Sequence, residues 1–327
     1  MDYSGIKDLL KNDIDRVNAV ISDSLASEIA LLDSTNKSIL AHSGKQLRPV
    51  LALLVAKSCS GGVVTEDTIH YAAASELLHN ATLLHDDVAD NSSTRRGNPT
   101  VMSLLGGRAS VLLGDYWLVK AMENILSSDN SSSRVIRLFS STLSDLAEGE
   151  LLQMQKAFSG DTVERDYLKI VYCKTASLFC SAAVSAAISV GADEEKIKAA
   201  KLYATNLGIA FQIKDDIFDY RSDLNVGKPV GHDIIEKKIT MPLLGALASA
   251  SESEEKSVRR MIRDIDSHPD YQKNIMDFVT NHKGVDYAAT RLDEYVAKAK
   301  IALRPLGEGR FQALLADIAD FVSYRKS

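Results

Sequence analysis

Six aspartates are spaced so that they could do chemistry together. Asp86, Asp87 and Asp90 close the apolar stretch Leu83-Leu84-His85, and Asp215, Asp216 and Asp219 repeat the D-D-x-x-D spacing after a second apolar stretch. At about 100° per residue, each set lies within one arc of about 100° on a helix. Three carboxylates on one face repel each other unless something positive sits among them. Carboxylate oxygens without histidine or cysteine select hard cations, and Mg²⁺ is the usual choice when phosphate is present. Mg²⁺ takes one or two carboxylates per ion and completes its shell with water and phosphate oxygens. Two such runs therefore imply a ligand rich in phosphate oxygens. The plainer reading is a solvated acidic face. With 29 aspartates in 327 residues, one D-D-x-x-D arises by chance in about one such chain in five, and two in a few per cent. The surrounding residues have to decide.

Positive groups accompany both runs. Lys45 and Arg48 share one loop, and Arg95 and Arg96 follow the first run. Lys174, Lys228 and Lys238 lie on or near the segments that frame the second. Any one alone reads as a solvated surface charge, but together they cluster at the ends of the acid-bearing segments. His79 is seven residues before Asp86, about 20° away on the same helix face, where it could meet a second anion. His85, on another face, reads as a core or supporting residue. No G-x-x-x-x-G-K-[ST] or G-x-G-x-x-G pattern occurs, which speaks against a phosphate-binding loop or a dinucleotide fold. The net charge of −6 and pI near 5.7 argue against a nucleic-acid binder that works by charge.

The elements that must position these groups read as helices. The chain is 45% hydrophobic but only 6% aromatic, with six prolines and few segments of period two, so the expected class is all-α. Apolar residues from Ile6 to Leu32 recur at helical spacing. A loop at 43–49 feeds a helix that stops at Gly61-Gly62, with Pro49 suited to its first turn. Thr65-Glu66-Asp67 opens a long helix carrying the first aspartates at its far end. A polar loop covers 91–100, and helices follow at 108–126 and 134–158. Asp161, with Glu164 three residues on, reads as a capping-box-like start for a helix over 162–189. A helix over 194–220 delivers the second aspartates. Another starts at Met241-Pro242, and three or four amphipathic helices complete the chain. No linker-like segment divides it, so one domain over 1–327 is expected.

Cys59, Cys173 and Cys180 are too few and too irregular for a disulfide framework or a zinc site. No signal peptide is evident, and no stretch reaches 18 uncharged apolar residues. The expectation is a cytoplasmic protein without a transmembrane span. A transient membrane contact for product release is left open.

At this point the sequence resembles the trans-type (E-type) polyprenyl diphosphate synthases. The resemblance rests on Gly44-Lys45-x-x-Arg48-Pro49 and on Leu84-His85-Asp86-Asp87-Val88-x-Asp90-x-Ser92-x-x-Arg95-Arg96-Gly97-x-Pro99-Thr100. It also rests on Gly114-Asp115-Tyr116, Gly149-Glu150, Lys174-Thr175-Ala176 and Phe211-Gln212-x-x-Asp215-Asp216-x-x-Asp219. Gly227-Lys228-Pro229, Asp233 and Lys238-x-Thr240-x-Pro242 complete it. These occur in the family's order, and the last 85 residues fit only as generic helix.

The resemblance implies an isoprenoid synthase fold of about ten mostly antiparallel helices around a central cavity, usually a homodimer. It implies that Asp86, Asp90, Asp215 and Asp219 bind Mg²⁺ ions bridging an allylic diphosphate, with Asp87 and Asp216 as supporting or occasional ligands. Arg95, Lys174, Lys228 and Lys238 would hold that diphosphate. Lys45, Arg48, His79 and Arg96 would hold isopentenyl diphosphate, and Thr175 and Gln212 would face the developing carbocation. Chain length in the family is set by bulk just upstream of the first run. The small Ala81, with Leu78, Leu77 and Ala74 on the same helix face, points to a medium-to-long product, as for a quinone side chain. Small residues there would equally serve close helix packing. The alternatives are a farnesyl or geranylgeranyl diphosphate synthase, a class I terpene cyclase, or a non-catalytic helical metal-binding subunit. Two departures stand out: the family often has glycine where this chain has Ser43, and commonly glycine at Lys237.

Overall fold

A computed structural model describes residues 1–42, 44–95, 97–127, 133–221 and 230–325. Helices run in chain order as α1 (Tyr3–Leu9), α2 (Lys11–Leu25), α3 (Ala30–Ala41), α4 (Leu47–Ser60) and α5 (Glu66–Ala89). After a two-residue hairpin, β1 (Thr94–Arg95) with β2 (Asn98–Pro99), come α6 (Val101–Leu105), α7 (Gly107–Leu126), α8 (Ser133–Ser159), α9 (Glu164–Val171) and α10 (Ser177–Ser189). The remainder is α11 (Glu194–Asp219), α12 (His232–Ile235), α13 (Met241–Ser249), α14 (Glu252–Arg263), α15 (Tyr271–Asn281), α16 (Gly284–Ala302) and α17 (Arg310–Tyr324). The hairpin is the only sheet among the described residues. The expected all-α class holds.

Two compact units emerge, each built from separated segments. One comprises Met1–Ser140, Leu178–Lys201 and Leu303–Asp317; the other comprises Ser141–Ser177, Leu202–Ala302 and Ile318–Ser327.

In the first unit, the apolar periodicity over the N-terminal residues runs through one helix break and stops at a second, beyond which Ile29 is 64% exposed. Leu10 (ψ 6°) closes α1 and Ala26 (ψ 135°) closes α2, yet Ile6, Leu10, Ile14, Val17, Ile21 and Leu25 are all buried. Spacing therefore reported a shared buried face rather than one uninterrupted helix. α4 ends at Gly61, whose φ of 74° is the left-handed cap that glycine adopts without steric cost. Thr65 and Thr68 cap α5 reciprocally, each hydroxyl accepting the other's backbone N–H at 3.1 and 3.2 Å. Losing such a cap typically costs about 1 kcal/mol. α7 lies antiparallel to α5: Ser110 Oγ donates to Leu84 O at 2.8 Å near one end, and His70 Nδ1 meets Asn124 Oδ1 at 3.0 Å near the other. Trp117, fully buried on α7, donates its indole N–H to Asn36 Oδ1 at 2.9 Å. A buried indole needs such a partner, since an unmade bond would leave a desolvated donor.

In the second unit, α9 begins at Glu164, and the capping acid differs from the one expected. Gly160 (φ 67°) ends α8 and leaves Asp161 facing back, where Oδ1 accepts from Ser159 Oγ and from Lys156 Nζ. Asp166 does the capping instead, its carboxylate accepting the Val163 N–H at 3.3 Å. Between α9 and α10, residues Tyr172–Ala176 form a π turn. Among the described residues one helical stretch, Glu164–Ser189, is long and apolar enough to cross a membrane, but most of it is buried inside the protein. It is a core stretch. Cys173 and Cys180 are buried and Cys59 half-buried, and all three are free thiols.

Candidate active site

The first aspartate run occupies the last turn of α5, in the first unit. Asp90 caps the helix, its N–H donating to Asp86 O at 2.8 Å. The helical period separates the three acids: Asp86 and Asp90, four apart, keep solvent access, while Asp87 is buried. Arg95 Nε of the hairpin donates to Asp87 Oδ1 at 2.8 Å. Asp87 thus ties the hairpin to α5, and Arg95 spends one donor on that bond. His85 lies half-exposed against α7, Nε2 at 3.2 Å from Asp115 Oδ1 and 3.3 Å from Val111 O. A Cβ at Gly114 would sit 2.4 Å from the same Nε2. The Gly114-Asp115 pair is therefore explained by one imidazole: glycine admits it and aspartate faces it.

In the same unit, Lys45 is exposed just ahead of α4, while Arg48 is buried with its guanidinium 4.8 Å above the Phe179 ring. His79 is half-buried on α5. Ala74, Leu78 and Ala81 are buried along that helix. Arg96 and Lys228 lie outside the described residues, as does Ser43.

The second run occupies the last turn of α11, in the other unit. Asp215 Oδ1 accepts from Arg325 Nη2 at 2.6 Å, and that guanidinium is sandwiched at 4.0 Å from the Phe211 ring and 5.2 Å from the Phe218 ring. Asp219 receives the backbone N–H groups of His232 and Asp233 at 3.0 and 2.9 Å, as a carboxylate does at the positive start of a helix. Asp216 is fully enclosed: Oδ2 accepts from the Tyr167 hydroxyl at 2.5 Å and Oδ1 from Gln212 Nε2 at 3.0 Å. Burial pushes its carboxyl up to about 7, with the charge of Asp215 adding and the two donors opposing. Burial, then the charges of Asp216 and Asp219, likewise raises Asp233 well above the usual carboxylate range.

Thr175 joins this network, donating to Gln212 Oε1 at 2.9 Å. Four side chains therefore form one chain of hydrogen bonds, Thr175–Gln212–Asp216–Tyr167. The π turn that presents Lys174 and Thr175 is wedged between two glycines. A Cβ on Gly149 of α8 would lie 2.6 Å from Cys173 Cβ, and one on Gly208 of α11 would lie 2.6 Å from Ala176 Cα. Lys174 Nζ pairs with Glu150 Oε2, so the Gly149-Glu150 dipeptide serves the π turn twice. Lys238 pairs with Glu236, and Lys237 before it has φ 58°. That is a left-handed conformation, which glycine adopts without steric cost. Tyr167 and Arg325 escaped the sequence reading, because a tyrosine on a separate helix and an arginine 110 residues from Asp215 carry no local pattern.

The donor set fits a hard cation. Each run offers carboxylate oxygens alone. That suits an ion that takes one or two carboxylates and draws its remaining ligands from water and phosphate. It does not suit a soft or tetrahedral site.

The sequence profile of the polyprenyl synthetase family matches residues 29–279. The chain is 34% identical over 320 residues to the octaprenyl diphosphate synthase of Haemophilus influenzae, covering 98% of this chain and 96% of that one. Its structure is similar to that of a decaprenyl diphosphate synthase from Rhodobacter capsulatus, with a TM-score of 0.91 and 34% identity over all of both chains. It is equally similar, at a TM-score of 0.91 and 31% identity over 100% of this chain and 98% of the other, to a polyprenyl synthase from Caulobacter crescentus solved with calcium and isoprenyl diphosphate. The chain belongs to the polyprenyl synthetase family, with the all-α isoprenoid synthase fold, and is a prenyltransferase of the trans-polyprenyl diphosphate synthase type.

Proposed function

We propose that this protein condenses an allylic diphosphate with isopentenyl diphosphate, repeatedly, to a medium-to-long all-trans polyprenyl diphosphate destined for a quinone side chain. The observation that carries the reading is the pair of carboxylate-only runs, each on the last turn of its own helix, in a chain whose relatives make octaprenyl and decaprenyl products. We assign Mg²⁺ to Asp86, Asp90, Asp215 and Asp219; the calcium in the Caulobacter relative supports a hard divalent ion. When bound, the metal supplies charge that stabilises the departing diphosphate.

The chain's own residues do the rest. Lys174, Lys238, Arg95 and Lys228 hold the allylic diphosphate and stabilise the charge it gains as its carbon–oxygen bond ionises. Thr175 and Gln212 turn their dipoles toward the allylic cation, and Asp216 with Tyr167 keeps Gln212 oriented. Lys45, Arg48, His79 and Arg96 place isopentenyl diphosphate so that its double bond attacks the cation. The proton then leaves to the departing diphosphate, which suits a site offering no obvious side-chain base. Apolar helix walls keep out the water that would quench the cation.

Ala74, Leu78 and Ala81 limit product length. One domain over 1–327 carries the reaction, in keeping with a family match that runs unbroken through residues 29–279. Homodimerisation is in keeping with the exposed apolar stripe Leu151, Met154 and Phe158 on α8.

The test is incubation with Mg²⁺, farnesyl diphosphate and radiolabelled isopentenyl diphosphate, followed by chromatography. Linear diphosphates longer than geranylgeranyl support the reading. Products that stop at geranylgeranyl make it a short-chain synthase, cyclic hydrocarbon makes it a cyclase, and no turnover with tight Mg²⁺ binding makes it a non-catalytic subunit.

A further inference from the structure

We infer that Tyr3 and Asn18 are positioning residues for the isopentenyl diphosphate site, holding the junction between Lys45 and α4, the helix that carries Arg48; this rests on the assignment of those two residues to that substrate. All the groups concerned belong to the first unit. Tyr3, on the first turn of α1 and 9% exposed, donates its hydroxyl to Lys45 O at 2.8 Å. Asn18, on α2, accepts from Gln46 Nε2 through Oδ1 at 2.7 Å. The two bonds fall on either side of an unusual joint. Gln46 has φ 55° and ψ 42°, a left-handed conformation that residues with a Cβ seldom adopt.

Within α4 the joint is met by a backbone bond, the Val50 N–H donating to Gln46 O at 3.2 Å. Gln46 is the residue from which α4 starts, yet it makes no side-chain cap bond to the helix. The conformation is also held from outside, by α1 through the carbonyl before it and by α2 through its own side chain. Should the joint relax to the right-handed region, Lys45 would swing relative to Arg48, which is fixed by burial and by the Phe179 ring 4.8 Å from its guanidinium. Two-point capture of a diphosphate depends on the separation of those two cations, and an ångström of misplacement is enough to weaken it. The Tyr3 hydroxyl is a dependable donor for this task. Burial, with the negative charge of Glu76 adding to it, pushes its pKa well above the ordinary tyrosine value, so it stays protonated at any working pH.

The experiment compares full-length wild type, Tyr3→Phe, Asn18→Ala and Lys45→Ala by steady-state kinetics with each substrate varied in turn, alongside thermal melting. Tyr3→Phe and Asn18→Ala are each expected to raise KM for isopentenyl diphosphate about threefold to tenfold, the effect of one hydrogen bond. Their kcat and allylic KM should stay within about twofold, the range expected of sites that act independently. Lys45→Ala should raise the same KM further. If Lys45→Ala leaves that KM unchanged, the assignment of the isopentenyl site is wrong. If Lys45→Ala raises it and both other variants do not, the positioning role is wrong. The role is equally overturned if kcat and both KM values shift together, since that is what a general loss of structure does. Asn18 is exposed, so its variant decides the matter should Tyr3→Phe not fold.

Discussion

An alanine at position 114 is expected to unseat His85 while leaving the aspartates where they are. The new Cβ would lie 2.4 Å from His85 Nε2, 2.6 Å from Cδ2 and 3.0 Å from Cε1, so about 1 Å of overlap must be relieved. Two responses compete. The end of α5 can move away from α7, which disturbs two helices tied by the Ser110–Leu84 bond and costs about 1–3 kcal/mol as overpacking. Or the imidazole can swing, giving up its 3.3 Å contact with Val111 O and its 3.2 Å contact with Asp115. The first of these contacts is worth about 1 kcal/mol. The second is a pair whose side chains are 34% and 62% exposed, worth less than about 1 kcal/mol after solvent screening.

The ring has a solvent side to turn to and the helix does not, so the swing should win. Gly114→Ala should then lose about 1–2 kcal/mol, a fall in Tm of about 2 °C for a chain of this size. Turnover should fall less than about tenfold, because Asp86 and Asp90 keep their places, whereas a shift of α5 would cost about a hundredfold. Calorimetric melting and isopentenyl diphosphate incorporation measure the two quantities. In a His85→Ala background the Gly114→Ala penalty should vanish, a coupling as large as the effect itself. Undiminished stability in the single variant, or an unchanged penalty without His85, would refute the reasoning.

Three further outcomes follow from the geometry. Ala81→Phe should shorten the product by several isoprene units in the chromatographic assay, and an unchanged distribution would remove Ala81 from length control. Phe158→Glu, at a position 91% exposed on α8, should lower the mass measured by light scattering toward a monomer if that stripe is the dimer face, with little change in Tm. Burial pushes the Cys59 thiol up to about 11, with Asp193 adding and Lys196 opposing, and Cys173 is likewise raised by burial. Since the thiolate is the nucleophile and its fraction at pH 8 falls tenfold for each unit of upward shift, a disulfide reagent at pH 8 should label the folded protein slowly. It should label all three cysteines at once in denaturant.

What could be read from the residues was whatever is local. Gly61, Thr65 and Pro242 act through backbone conformation within a turn, so the ends of α4 and the starts of α5 and α13 were legible before any coordinates. The aspartate runs were legible for the same reason, being periodic on one helix. Legibility failed wherever distance in the chain was bridged by packing. The Tyr167–Asp216 bond spans 49 residues and the Arg325–Asp215 pair 110, and neither tyrosine nor arginine announces a partner. The division of labour within a run came from the family resemblance and not from residue type: Asp86 and Asp87 are neighbours of one chemical type, and the bond from Arg95 makes the second a strut. At Asp161 the local rule misled, because Lys156 and Ser159 of the preceding turn claimed the carboxylate before α9 could. Near the N-terminus the helical spacing passes through the break at Leu10, because a hydrophobic period records which side is buried, and it fails beyond Ala26, where Ile29 is exposed.

Whether both aspartate runs serve one Mg²⁺-dependent prenyl transfer is decided by isopentenyl diphosphate incorporation as Mg²⁺ is titrated into wild type, Asp86→Asn and Asp215→Asn. Wild-type turnover should saturate with Mg²⁺ and vanish in chelator. Each variant should lose at least about a hundredfold at saturating metal, the scale on which a transition-state charge contact is felt, while melting within a few degrees of wild type. Full turnover in either variant, or wild-type turnover undiminished by chelator, would contradict the account.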